Sequence, residues 1–125
     1  DPKSAGARVA FAEWLTKMGQ YDAANEQYDG VIQLGQAHVG RFGMGLVQLE
    51  RGQPQDALLS FQHALQINPN MVGVKYHAAR AHEKLGNVEP ARKLYETFLV
   101  EAGSLVRERE SVEKARARLT ELSKR

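Results

Sequence analysis

Apolar side chains recur along this chain with a helical period, in stretches separated by turns that carry glycine, proline or asparagine. The clearest stripe is the last one. Val112, Ala115, Leu119 and Leu122 stand at spacings of 3, 4 and 3, and Arg, Lys and Glu dominate the rest of that segment. Shorter sets at 9/13, 42/46/49 and 76/80/83 each follow one helical face. Together with the turn residues, the pattern predicts helices over 4–18, 21–34, 38–51, 54–67, 72–85, 88–102 and 105–123.

The same pattern repeats at longer range. Gly19, Gly52 and Gly86 are 33 and 34 residues apart, and Ala24, Ala57 and Ala91 keep those spacings, as do Tyr28, Phe61 and Tyr95. Each column has a physical reason. A glycine ends a helix where the backbone turns left-handed. An alanine lets two helices cross closely. An aromatic four residues further on lies on the same face and fills the gap below. Pro54 and Pro90 fall in the first turn of a helix, where proline is tolerated. Asn68-Pro69-Asn70 closes a hairpin, because proline cannot continue a helix.

This period, with its order of Gly, Ala-x3-aromatic and Pro, resembles the tetratricopeptide repeat. The resemblance covers residues 5–103, with repeats at about 5–37, 38–71 and 72–105. The middle repeat matches best, through Met44-Gly45, Ala57, Phe61, Ala64 and Pro69. The first departs at Gly35-Gln36, and the third ends on Ala102-Gly103 without a proline. Ala12 and Ala79 stand where the middle repeat has Gly45. The resemblance implies an all-α fold, a right-handed α-solenoid of antiparallel helix hairpins with about seven helices in one domain. Residues 105–123 break the repeat, and their single apolar stripe suits a helix that caps the exposed end of the stack. The competing readings are a different all-helical bundle and, for the last helix, a basic arm.

Composition narrows the function. A chain of 125 residues, 42% hydrophobic and 26% charged, suits one domain with a core of its own. No apolar run is long enough to span a membrane. Cysteine is absent, which removes disulfides, thiolate metal sites and cysteine nucleophiles. The net charge of +2 is uneven: residues 1–103 carry 10 Lys/Arg against 11 Asp/Glu, and residues 104–125 carry 7 against 4. The broad basic face of a nucleic-acid binder is therefore not expected. There is no signal-peptide pattern at the start. The opening Asp1-Pro2-Lys3 has no Met and reads as a processed product or an excised fragment.

Candidate chemistry is sparse. Gly40 to Gly45 is glycine-rich but is not followed by the Gly-Lys-Ser/Thr of a phosphate loop. Gly45 reads as a helix-packing residue. Gly43 costs about 1 kcal/mol of helix propensity relative to alanine with no evident return. His77 and His82 are 5 apart and face different sides, and His38 and His63 stand alone, so a metal set is not expected. Glu13, Asp22, Glu26, Asp29 and Glu50 occupy expected surface or turn positions. No serine has the setting of a nucleophile. The chain is expected to be no enzyme and to hold no cofactor or metal.

In relatives of this kind the first helix of each hairpin lines a concave face that binds peptides. The resemblance places Val9 and Glu13 there from the first repeat, with Lys17 beyond them. Phe42, Leu46 and Leu49 come from the second repeat, and Tyr76, Arg80 and Glu83 from the third. Phe42, Leu46 and Tyr76 would anchor apolar side chains and Arg80 a polar one. The competing reading packs these residues against neighbouring helices. Chaperone-binding relatives grip a terminal carboxylate with Lys, Asn, Asn, Lys and Arg. The matching columns here hold Val9, Glu13, Gly43, Gly73 and His77, so that mode is not expected. The expectation is a protein-interaction scaffold whose partner is a protein or peptide, neither nucleic acid nor membrane. The alternatives are a repeat domain that self-associates into a homo-oligomer and a docking segment of a larger protein.

Overall fold

Four left-handed glycines end four of the helices. In the computed structural model, residues 4–124 are described; Arg125 and the Asp1-Pro2-Lys3 opening lie outside them. Gly19, Gly35, Gly52 and Gly86 have φ of 77°, 91°, 82° and 79°. Each sits in a Schellman turn, where one amide reaches back five residues and the glycine amide reaches back three. At the first, Gln20 N donates to Leu15 O at 2.8 Å and Gly19 N to Thr16 O at 3.0 Å. Asn87 to His82 and Gly86 to Glu83 repeat it at 2.8 and 3.0 Å. These bonds satisfy carbonyls that the helix end leaves open, and they reverse the chain within two residues.

The chain divides into two compact units, the first ending at Asn70 and the second beginning at Met71. The first unit contains α1 (Ala5–Lys17), α2 (Tyr21–Gln33), α3 (Ala37–Glu50) and α4 (Pro54–Ile67). Ser4 caps α1, its Oγ accepting from Ala7 N at 3.1 Å. Pro54 is the first residue of α4. Helices α1 and α2 pack as one hairpin and α3 and α4 as another, and α2 also packs on α3. Ala12, Ala24 and Ala57 are completely buried, as close crossings require. Tyr28 is buried with Ala12, Leu15, Ala24 and Val47.

The helical glycines of α3 explain themselves in this packing. A β-carbon on Gly43 would overlap the Tyr28 ring, and one on Gly45 would overlap the Phe61 ring. Gly43 therefore has a return that the sequence did not disclose: it lets an aromatic from α2 lie flush on α3.

The second unit contains α5 (Val72–Lys84), α6 (Val88–Ala102), a 3-10 turn (Val106–Glu108) and α7 (Arg109–Leu122). The last helix begins later than the sequence pattern predicts. Leu105 is extended, and Glu108 N bonds Leu105 O at 3.0 Å, so the chain tightens into a 3-10 turn before α7 starts. Val112, Ala115 and Leu122 of α7 are buried with Ala79, Ala91, Tyr95 and Phe98, and Leu119 packs at the edge of that cluster. The expected stripe of α7 thus closes the α5–α6 hairpin. Burying each large side chain of this cluster contributes roughly 1.5–3 kcal/mol.

Candidate functional site

The candidate residues of the first unit lie on α1 and α3. Val9 is half-buried beside the Ala12, Leu15 and Tyr28 cluster. Glu13 is exposed, yet close enough to Tyr28 to matter: burial, then the Glu13 charge, push the Tyr28 hydroxyl up to about 12. Phe42 and Leu46 are half-buried, and the Phe42 ring lies 5.9 Å from that of Phe61, tilted by 56°. Leu49, one turn further on, is 1% exposed and belongs to the interior. Helical period places these three on one face, but only Phe42 and Leu46 show part of their surface.

In the second unit the three candidates of α5 surround one cavity of about 360 Å³. Tyr76 is 6% exposed and packs against Phe98 and Tyr95 at ring separations of 5.4 and 5.9 Å. Its ring is mostly core, with an edge in the cavity wall. Arg80 donates from Nη1 to His77 Nδ1 at 3.0 Å. His77 accepts because it stays neutral: burial first, then the charges of Arg80 and Lys114, drive its pKa down to about 3. Glu83 accepts from Tyr95 Oη at 2.7 Å, and from Arg118 Nε and Nη2 at 3.0 and 2.6 Å. Burial and the bond to Glu83 raise the Tyr95 pKa, so its hydroxyl keeps the proton it donates. Glu83 is thus an internal tie between α5, α6 and α7.

Sequence reasoning missed the far wall of this cavity. Lys114 and Arg118 reach it from α7, four residues apart on one face. Their spacing was legible, but a mixed-charge helix gives no sign of which cations face inward. It also missed the outer face of α1. Phe11, Trp14 and Met18 follow one helical face and are exposed, and the Phe11 and Trp14 rings stack at 6.1 Å with an 18° tilt.

Residues 48–103 match the family model of the tetratricopeptide repeat. No curated protein matches the sequence. Among solved structures, the chain is similar to the Yersinia enterocolitica type III secretion chaperone SycD in complex with a peptide of the translocator YopD. That likeness has 15% identity over 93% of this chain and 89% of that one, with a TM-score of 0.80. It is also similar to Pseudomonas aeruginosa PcrH in complex with the chaperone-binding region of PopD, at 20% identity over 93% and 88%, TM-score 0.78. A third is the first TPR of Spaghetti (RPAP3) bound to the HSP90 peptide SRMEEVD, at 19% identity over 99% and 94%, TM-score 0.78. At such identities the likeness shows the fold, which is that of tetratricopeptide hairpins.

Proposed function

We propose that this tetratricopeptide-repeat chain is a protein-interaction scaffold that holds a peptide or partner helix along the first helices of its hairpins. The surfaces concerned are Val9, Glu13, Phe42 and Leu46 on α1 and α3, and Tyr76, Arg80 and Glu83 around the α5 cavity. Leu49, 1% exposed, is not part of these surfaces. The observation that carries the reading is the cavity itself: three residues assigned to one binding face of α5 all border it. The peptide complexes of SycD, PcrH and RPAP3 support the same use of this fold.

In this reading the chain binds and does no chemistry, and it needs no cofactor. Among the described residues no helix is long and apolar enough to cross a membrane. Nucleic acid is disfavoured as a partner because the basic surplus is confined to residues 104–125, where Glu is interleaved. A second reading, self-association, is favoured by one observation, the exposed apolar strip of Phe11, Trp14 and Met18.

Capture from a source lysate tests the main reading. Wild type is compared with Glu13→Lys/Leu46→Ala, a pair outside the buried core, with circular dichroism confirming the fold. A protein retained by wild type and lost by the variant is the expected result. Equal retention by both moves binding away from α1 and α3.

A further inference from the structure

The α5–α7 cavity is unusual in its charge. Arg80 and Lys84 border it from α5, and Lys114 and Arg118 from α7, against the single carboxylate of Glu83. Glu83 is already engaged by Tyr95 and by Nε and Nη2 of Arg118. Lys114 bridges to Glu110 at 2.9 Å on a side chain that is 60% exposed, and surface pairs of this kind exchange partners at little cost. The aromatic rings of Tyr76 and Tyr95 also line the space. Lys114 and Arg118 come from the basic segment 104–125, and α5 sets Arg80 and Lys84 beside the same space.

We propose that this cavity takes an acidic side chain, Asp or Glu, from within the partner peptide. The proposal rests on the scaffold reading above and adds what the second unit selects. Cations on two facing helices stabilise a carboxylate between them. The edge of the Tyr76 ring in the cavity wall accepts the methylene stem that carries it. An internal residue fits better than a chain terminus. The lining holds no Asn or Gln carboxamide to fix a terminal carboxylate. The 3.0 Å bond to His77 orients the Arg80 guanidinium at the cavity wall.

The test uses the full chain and a fluorescein-labelled deca-glutamate peptide with an amidated C-terminus, followed by anisotropy. Saturable binding that weakens as salt rises is expected. Lys84→Gln/Lys114→Gln should weaken it by about tenfold, the effect of losing two partly exposed charge contacts. Both lysines are exposed, so melting should be unchanged. Lys93→Gln/Lys124→Gln removes the same charge outside the cavity and should bind as wild type does. No binding, or an equal loss in both double variants, overturns the proposal. So does binding only by peptides with a free C-terminal carboxylate, or displacement by inorganic phosphate at equal concentration. A partner captured equally by wild type and Lys84→Gln/Lys114→Gln overturns this subsite and leaves the scaffold reading standing. Failure of wild type to capture any partner counts against the scaffold reading instead.

Discussion

Arg118 and Glu83 lie 35 residues apart in the chain, and the guanidinium donates to both oxygens of the carboxylate at 3.0 and 2.6 Å. The pair fastens α7 to α5, and Tyr95 brings in α6 through the same carboxylate. The Glu83 side chain is 16% exposed and Arg118 39%, so removing Arg118 leaves a poorly solvated charge. Arg118→Ala should destabilise the second unit by about 1–2 kcal/mol after allowance for solvent screening at the arginine. Amide hydrogen exchange should rise first in α7. Lys114→Ala, on the same helix face, should stay within about 0.5 kcal/mol. Equal effects of the two variants would show that the pair is not the fastening.

Gly43 meets the Tyr28 ring without room for a methyl group. Gly43→Ala gains helix propensity but overpacks the α2–α3 contact, and the steric cost should dominate, with a net loss of about 1–2 kcal/mol. Combining it with Tyr28→Leu should cost less than the sum of the two single changes, because they share one contact. Urea unfolding of the four variants in the cycle measures this.

His77 links stability to pH. Its folded-state pKa of about 3 lies below the ordinary 6.5, so the unfolded chain takes up the proton first. The contribution is complete above pH 6.5 and is lost as pH falls from there towards 3. Burial lowers the His82 pKa as well. The melting temperature should therefore fall between about pH 7 and pH 5, a window in which most carboxylates stay ionised. The slope approaches about 1.4 kcal/mol per pH unit for His77, and His82 adds to it in the same direction. His77→Gln should flatten the profile, with the His82 share remaining. An unchanged profile contradicts the burial of a neutral imidazole.

Trp14 is the only tryptophan and is 55% exposed on α1. In the monomer its fluorescence should be readily quenched by acrylamide. If the Phe11–Trp14–Met18 strip joins copies of the chain, raising the concentration should shift the emission to the blue and reduce quenching. Trp14→Ser should then hold the chain monomeric in light scattering. Concentration-independent emission from a monomer removes the self-association reading.

The hairpins were legible because their determinants are local. Gly19, Gly52 and Gly86 announce left-handed turns, and the Ala24, Ala57 and Ala91 columns announce close crossings. Gly35 performs the same left-handed turn, although it breaks the glycine spacing and stands where the repeat expects a proline. The binding face was less legible. Period alone puts Leu46 and Leu49 on one side of α3, but only the packed structure shows that Leu49 is interior. Tyr76 reads as an anchor, yet its ring is committed to Tyr95 and Phe98. Glu83 reads as a free carboxylate on a helix face, because nothing in the sequence links it to Arg118. A mixed-charge helix such as α7 conceals which cations turn inward until its apolar stripe has docked.

The most direct test of the scaffold account is an NMR titration of the isotopically labelled chain with the peptide of a captured partner. The account predicts amide shifts concentrated on α1, α3 and α5, with side-chain shifts at Leu46 and Tyr76. Shifts confined to α2, α4 and α6, with the first helices unmoved, would contradict it.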